Sequence, residues 1–260
     1  FMLLNLFRDQ LDRFGEIDRI QATIAEALAK TPETTFVFNG DDPLCAAIAD
    51  RIPNKSLAFG IASDMGLSAD RISDSRFCQK CGAPWNMITV HYGQLRRLSL
   101  PRLRMGASRA RFCGDECASG GRRFVFDIDG RSVHTGHTGA YMVYNVLAAY
   151  AISKLSGIVS FENYQAAVRE YHPTNGRLQT FDLGERKVMR PREDPTGFNQ
   201  NIRIVLNERG RVLALFVNDN DADGHDVSWF GISTSTLVAD RRPARLCGRH
   251  ARERHAGALE

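Results

Sequence analysis

The spacing of hydrophobic and polar residues predicts alternating helices and strands in the first part of the chain. Apolar residues recur four apart within residues 19–30, which is typical of a helix with one buried face. TTFVFNGDDP (34–43) predicts a buried strand that ends in a polar loop, and a short helix (44–51) and the strand SLAFGI (56–61) follow. This succession indicates a parallel sheet with right-handed crossovers.

The polar loop after the first of these strands is a candidate ligand site. Ligands of parallel sheets bind beyond the carboxyl ends of the strands. Asn39, Asp41 and Asp42 are expected to lie there, because they directly follow the apolar run.

Regular patterns stop in residues 70–120, which hold four of the six cysteines, and then resume. RRFVFDIDGRSVH (122–134) predicts a hairpin around its Asp-Gly pair. GAYMVYNVLAAYAISKL (139–155) and FENYQAAVREY (161–171) predict helices, and RVLALFVND (211–219) predicts a further buried strand.

Two domains are expected from this organisation. We place their boundary near residue 178, with an inserted cysteine-containing ribbon at residues 70–120 of the first domain (1–178) and a second, partial domain at 179–260.

The composition is that of a soluble globular protein, with 43% hydrophobic and 25% charged residues. No apolar run reaches the roughly 18 residues of a membrane-spanning helix, and the first residues lack a signal-peptide pattern. We therefore expect a cytoplasmic protein with reduced thiols. Arginines crowd residues 96–123 and 241–253 without interleaved aromatic residues, so a solvated surface is favoured over a nucleic-acid site.

The motif Cys78-Gln-Lys-Cys81-Gly has the spacing of a zinc knuckle. Cys113 and Cys117 could complete a structural zinc site, although their spacing is looser than usual. The alternatives are unligated cysteines or, less in keeping with the context, a redox pair. Catalytic zinc is not indicated, since no histidine or carboxylate joins the cluster.

Three further residues have alternative interpretations. Asn145 in an apolar helix offers an amide suited to an adenine edge, or it is an asparagine on the helix surface or one with a buried structural hydrogen bond. Arg177 could reach a ribose or phosphate, or it is a surface arginine. Asp226, in a loop rich in aspartate, could orient a histidine as the third member of a triad, or it is a surface acid. The chain has no nucleophile motif of its own, so the other triad members would come from another subunit.

Several segments resemble, in order along the chain, the MurT-type proteins, the Mur-ligase-like subunits of lipid II isoglutaminyl synthase. They are NLFRDQLDRFGEID (5–18), FVFNGDDP (36–43), CQKCG (78–82), HYGQL (91–95), YMVYNVLAA (141–149), TNGRLQTF (174–181), DPTGFNQ (194–200) and NDNDADGHDVSW (218–229). The resemblance implies an α/β fold: a Mur-ligase-like, Rossmann-like central domain with a zinc-ribbon insertion, and a partial Rossmann-like C-terminal domain.

The resemblance also implies an activity and its participants. ATP, with Mg²⁺, would activate the D-glutamate α-carboxylate of lipid II, and a GatD-type glutamine amidotransferase subunit would supply ammonia. Asn145 and Arg177 match nucleotide-contacting residues of the family. Asn39 is expected to contact the nucleotide as well. Asp226 matches the aspartate that completes the partner's triad, and Cys78 and Cys81 match half of a structural zinc ribbon. The membrane would be reached only through the lipid-linked substrate.

The chain departs from the family pattern at several places. The family's phosphate loop and magnesium-binding glutamate are expected before residue 1, so the chain alone is expected to be inactive. Met142 stands where the family has asparagine, and Glu193 stands where it usually has lysine. Residues 96–120 and 231–260 are Arg-rich and aperiodic, which suggests out-of-frame translation and would make Cys113 and Cys117 accidental.

Two other functions remain open from the sequence. A stand-alone amino-acid ligase of the Mur or folylpolyglutamate type would need a phosphate loop and has no use for the loop around Asp226. A zinc-ribbon module that binds nucleic acid would use the arginine clusters, and its binding would depend steeply on salt.

Overall fold

A computed structural model describes eleven stretches of the chain. They are residues 1–7, 17–61, 86–92, 95–99, 112–120, 123–135, 140–171, 179–184, 187–190, 213–216 and 244–247. The chain divides into two compact units, one of Phe1–Phe7 with Asp18–His172 and one of Arg8–Ile17 with Pro173–Glu260. The predicted domain boundary near residue 178 remains a prediction.

The first unit contains four helices and eight strands among its described residues. The helices are α1 (Ile17–Ala29), α2 (Pro43–Ala49), α3 (Ala140–Ser156) and α4 (Phe161–Glu170). The strands are β1 (Met2–Leu3), β2 (Phe36–Asn39), β3 (Ser56–Ile61), β4 (Asn86–Tyr92), β5 (Leu95–Ser99), β6 (Phe112–Gly120), β7 (Arg123–Ile128) and β8 (Arg131–His134). The predicted helices and strands before residue 62 and the two helices after residue 139 are confirmed.

A six-stranded sheet with the order β1-β2-β3-β6-β7-β8 organises this unit. Strands β1, β2, β3 and β6 pair in parallel, and β7 and β8 continue the sheet as antiparallel strands. The predicted parallel sheet is therefore present, with an antiparallel edge. Such a mixed sheet aligns the carboxyl ends of its parallel strands at one edge.

Strand β6 corrects the expected extent of the insertion. Phe59 pairs with Phe112 and Ile61 with Gly114, so residues 112–120 belong to the central sheet rather than to a separate ribbon. The other described elements between 70 and 120 are β4 and β5, which form an antiparallel pair.

The hairpin predicted at the Asp-Gly pair is confirmed. Ile128 pairs with Arg131 across a two-residue turn, and both turn residues have positive φ, 52° for Asp129 and 75° for Gly130. Asp and Gly tolerate this conformation, which suits the twist of a tight hairpin. The Asp129 carboxylate accepts hydrogen bonds from Tyr150 at 2.8 Å and from Lys154, which tie the turn to α3.

The buried stripe of α1 includes a polar residue that the spacing did not predict. Leu28 is buried as expected and Ile24 is partly buried, whereas Gln21 on the same helix is fully buried. The Nε2 group of Gln21 donates to the carbonyl oxygen of Leu44 at 2.7 Å. This hydrogen bond offsets the cost of burying the amide and fixes α1 against α2.

The core lies between the sheet and α3, and α4 covers its end. Helix α3 packs across β2, β3, β6 and β7, while α4 packs against β8 and α3. Tyr164 of α4 is 4% exposed, and its hydroxyl donates to the carbonyl oxygen of Val146 at 2.8 Å. Burial, reinforced by the neighbouring Tyr150, raises the pKa of Tyr164 above its usual value.

The raised pKa of Tyr164 predicts a loss of stability at high pH. Below about pH 10 the Tyr164 phenol is neutral in both the folded and the unfolded chain. Above about pH 10 it ionises in the unfolded chain but stays protonated in the folded chain, where its pKa is higher. The free energy of unfolding is therefore expected to fall as the pH rises above about 10. Urea denaturation from pH 8 to 11 measures this slope, which should be shallower in Tyr164→Phe. That variant should also lose about 1 kcal/mol at pH 7; parallel pH profiles would contradict the prediction.

The second unit contains two described strand pairs. Strands β9 (Gln179–Asp182) and β10 (Lys187–Arg190) are antiparallel, and β11 (Leu213–Phe216) and β12 (Ala244–Cys247) are parallel. Strand β11 confirms the strand predicted within residues 211–219. Strand β12 lies within residues 231–260, for which the out-of-frame origin stays a hypothesis. Among the described residues, no helix is long and apolar enough to cross a membrane.

Candidate functional site

The loop from Asn39 to Asp42 lies at the carboxyl end of β2, where the sequence predicts it. The backbone N–H of Gly40 donates to the carbonyl oxygen of Phe59 at 2.7 Å, and that of Asp42 donates to Asn39 at 3.2 Å. These bonds turn the chain tightly beside β3. Asn39, Asp41 and Asp42 are all buried, so the loop is an internal polar cluster rather than a surface loop.

Asp42 connects the loop to two neighbouring segments. Its Oδ1 accepts from the backbone N–H of Leu44 at 2.9 Å and caps the N-terminus of α2, where Pro43 needs no partner for its nitrogen. Its Oδ2 accepts from the backbone N–H of Leu6 at 2.8 Å. Asp42 therefore holds the chain that follows β1 against the start of α2.

Asp41 connects the loop to β3 and to α3. Its Oδ2 accepts from the backbone N–H of Ile61 at 2.7 Å and from the hydroxyl of Tyr144 at 2.9 Å. The carboxylate lies directly over Gly60, where an added Cβ would come within 2.9 Å of Oδ2 and 3.0 Å of Oδ1. The absence of a side chain at Gly60 is what allows the carboxylate to take this position.

Asn39 shapes the loop from inside. Its Oδ1 accepts from the backbone N–H of Asp41 at 3.0 Å, a local bond typical of asparagine in turns. The residue is 0% exposed, and its Nδ2 has no hydrogen-bond partner among the described residues. Complete burial offers no surface to a nucleotide, so this arrangement favours a structural role for Asn39 over the predicted nucleotide contact.

Asn145 is exposed on α3, although its neighbours Tyr144 and Val146 are buried. This exposure excludes the buried structural asparagine among the alternatives and leaves the nucleotide contact and the helix-surface asparagine, because α3 turns this position away from the core. The Nδ2 of Asn145 lies 3.7 Å from the sulfur of Met142. A thioether is a weak acceptor, so a stronger acceptor such as an adenine nitrogen could displace it.

Cys45 on α2 is fully buried beside the loop. Burial raises the pKa of the Cys45 thiol well above its usual value, and the nearby Asp42 carboxylate raises it further. The thiol therefore remains protonated, which argues for the ordinary structural cysteine that the sequence suggests.

Most of the remaining predicted site residues lie outside the part of the chain that the structure describes. Arg177, Asp226, Cys78 and Cys81 lie outside the described residues. Cys113 and Cys117 lie on β6, where only the backbone is described. Among the described side chains, no group of three or more His, Cys, Asp or Glu residues could hold a metal ion.

The zinc site that the sequence predicts with Cys113 and Cys117 stays a prediction, because only the backbone of β6 is described.

Tyr144 and Gly60, which contact the Asp41 carboxylate, were not among the site residues predicted from the sequence. Tyr144 lies in an apolar helix stretch, and a buried tyrosine hydroxyl requires a partner. That requirement was a usable signal, but it does not say that the partner is Asp41, 103 residues away. For Gly60 the strand pattern alone contains no signal.

Comparison with protein families identifies the C-terminal part of the chain. A family model described as MurT ligase C-terminal matches residues 192–253. The match extends beyond residue 231 to residue 253. Because a shifted reading frame would not keep the family's sequence, this match argues against an out-of-frame origin for most of residues 231–260.

Two curated relatives cover most of the chain. The MurT subunit of a glutamine-hydrolysing lipid II isoglutaminyl synthase from Streptococcus pneumoniae is 30% identical over an alignment of 257 residues that covers 92% of this chain and 54% of the relative. Its namesake from Staphylococcus aureus is 27% identical over an alignment of 230 residues that covers 86% of this chain and 51% of the relative. The chain therefore spans about half the length of the curated relatives it matches.

Solved structures share the fold at low sequence identity. A pseudomurein peptide ligase type C from Methanothermus fervidus is 15% identical with a TM-score of 0.74, over 97% of this chain and 52% of that one. A MurF ligase from Thermotoga maritima, solved in complex with ADP, is 11% identical with a TM-score of 0.54, over 99% of this chain and 61% of that one.

The matched family model, the two curated relatives and the shared Mur-ligase fold agree with the order of motifs along the sequence. The chain is similar to the MurT-type, Mur-ligase-like proteins over most of its length.

Proposed function

We propose that the intact protein containing this chain is the ligase subunit of a lipid II isoglutaminyl synthase. It would amidate the α-carboxylate of the D-glutamate in lipid II to D-isoglutamine, in the cytoplasm, at the expense of ATP. Support comes from the curated relatives, which carry that enzyme's name, and from the Mur-ligase fold. The membrane would be met only through the lipid-linked substrate.

The reaction has two steps. The γ-phosphoryl group of ATP is transferred to the carboxylate, which gives an acyl phosphate and ADP. Ammonia then attacks the acyl carbon, the C–N bond forms, phosphate leaves with the C–O bond pair, and the nitrogen loses a proton. Bound Mg²⁺ would neutralise charge on the phosphates during the transfer.

The exposure of Asn145 at the end of the sheet is the observation that carries the nucleotide site. Its helix is fastened to the loop after β2 by the bond from Tyr144 to Asp41. Parallel sheets bind their ligands at this edge. An exposed amide there can both donate to and accept from an adenine edge, so the residue fits a nucleotide. Arg177 is proposed as a second nucleotide contact on sequence grounds alone.

Ammonia is proposed to come from a glutamine amidotransferase subunit of the GatD type. Asp226 would complete that subunit's triad by orienting its histidine. A structural zinc site that includes Cys78 and Cys81 also remains a proposal, and its other ligands are not assigned.

The substitution Asn145→Ala tests the nucleotide site. We expect the Michaelis constant for ATP to rise about tenfold, because one or two hydrogen bonds to the base would be lost. The measurement is ATP- and glutamine-dependent amidation of lipid II by the intact protein co-expressed with its amidotransferase subunit.

Asn163→Ala is the matched control, since it removes the same exposed amide from α4. Its kinetic constants should equal those of the wild type. An unchanged Michaelis constant in Asn145→Ala would remove this residue from the site. If the wild-type protein instead ligated an amino acid in the absence of the amidotransferase subunit, a stand-alone ligase would replace our proposal.

A further inference from the structure

One buried hydrogen bond joins α3 to the end of the sheet. The hydroxyl of Tyr144, a residue 1% exposed, donates to Oδ2 of Asp41 at 2.9 Å. The same oxygen accepts from the backbone N–H of Ile61 at the end of β3 at 2.7 Å. A side chain of α3, the loop after β2 and the backbone of β3 are thus connected at a single atom.

Hydrogen bonds hold Asp41 against the end of β3. Its carboxylate lies over Gly60, in the space that a Cβ would occupy, and accepts from the backbone N–H of Ile61. The neighbouring Asp42 is bonded to Leu6 and Leu44. Asp41 is therefore an anchor for the Tyr144 hydroxyl on α3.

The anchor determines where Asn145 points. Successive residues of a helix differ by about 100° around its axis, so fixing the buried side of Tyr144 fixes the exposed direction of Asn145. The aromatic ring alone would fill the apolar space, as phenylalanine would. What the hydroxyl adds is a fixed rotation and height of this helical turn relative to the sheet.

We infer that Tyr144 is a positioning residue for the nucleotide and acts through its hydrogen bond to Asp41. The inference rests on the proposed function, because it assigns Asn145 to the adenine contact. Small displacements of a group that positions a substrate have large effects on affinity and rate. The hydroxyl therefore affects nucleotide use without touching the nucleotide.

The test is Tyr144→Phe in the intact protein with its partner subunit. The Michaelis constant for ATP is expected to rise about tenfold while kcat changes less than about twofold, since the chemistry itself is untouched. Circular dichroism and thermal melting identify a temperature at which the variant is fully folded.

Tyr150→Phe is the matched control on the same helix. It removes a tyrosine hydroxyl that donates to the Asp129 carboxylate, again at a distance of 2.8 Å. Because that bond lies at the hairpin turn, its loss should lower stability without changing the Michaelis constant for ATP. An equal rise in both variants would mean a general loosening of α3 and would overturn the inference.

A second route keeps the test decisive if Tyr144→Phe folds poorly. Asp41→Ala removes the oxygen that accepts from both Tyr144 and Ile61, and in a folded variant it should shift the Michaelis constant for ATP in the same direction. No change in a folded variant overturns the inference.

The inference and the proposed function can fail separately. If the wild-type pair does not amidate lipid II, the proposed function fails, and calorimetric titration with ADP still tests the inference. A roughly tenfold weaker affinity of Tyr144→Phe for ADP supports it. Equal affinities, or no binding by the wild type, overturn it.

Discussion

Asp226→Asn is expected to abolish glutamine-dependent amidation by the intact protein and its partner, with a loss of about 10³- to 10⁴-fold. In a catalytic triad the acid holds the histidine in the correct tautomer and stabilises its charged form. An asparagine in that position favours the wrong tautomer and costs rate factors of this order. The expectation rests on the match between Asp226 and the family's cross-subunit aspartate.

Free ammonia separates the triad from the ligase. Asp226 would act only in releasing ammonia from glutamine, so ammonium salts at high pH should restore amidation by Asp226→Asn to near the wild-type rate. ATP consumption should then follow product formation. Failure of ammonia to rescue the variant would place Asp226 in the ligase reaction or in folding instead.

Asp221→Asn is the control for charge in the same acidic loop. It removes one carboxylate that does not match the family's triad residue. Glutamine-dependent activity should remain within about twofold of the wild type, because Asp221 has no proposed role in the triad. Equal losses in both variants would indicate a general charge effect of the loop.

Asp41→Ala is expected to lower the free energy of unfolding by about 3 kcal/mol. The change leaves two buried donors, the backbone N–H of Ile61 and the hydroxyl of Tyr144, without this acceptor. Each unsatisfied buried group costs about 1–3 kcal/mol. Urea denaturation of the intact protein measures the loss. Glu26→Ala, an exposed carboxylate change on α1, should stay within about 0.5 kcal/mol of the wild type.

The effect of Gly60→Ala on stability is expected to depend on the residue at position 41. A Cβ at 2.9 Å from Oδ2 of Asp41 requires the carboxylate to move, with an expected cost of about 2 kcal/mol. In the Asp41→Ala background this clash is absent, so adding Gly60→Ala should cost little more. Full additivity of the two changes would contradict the contact.

The sequence by itself determined the local elements and the resemblance to the family. The helices of the first unit follow from apolar spacing, and the turn of the β7–β8 hairpin follows from Asp129 and Gly130. The polar loop at Asn39–Asp42 follows from the end of an apolar run. These features depend on residues close in the chain, whose periodicity can be read directly.

Only the tertiary structure decided what is buried and which distant groups meet. It placed β6 in the central sheet, turned Asn145 to the surface while burying Asn39, and gave Gln21 a partner on α2. Above all it joined Tyr144 to Asp41. Burial and long-range hydrogen bonds depend on how elements pack, and a pattern confined to one element carries no information about the surface it will meet.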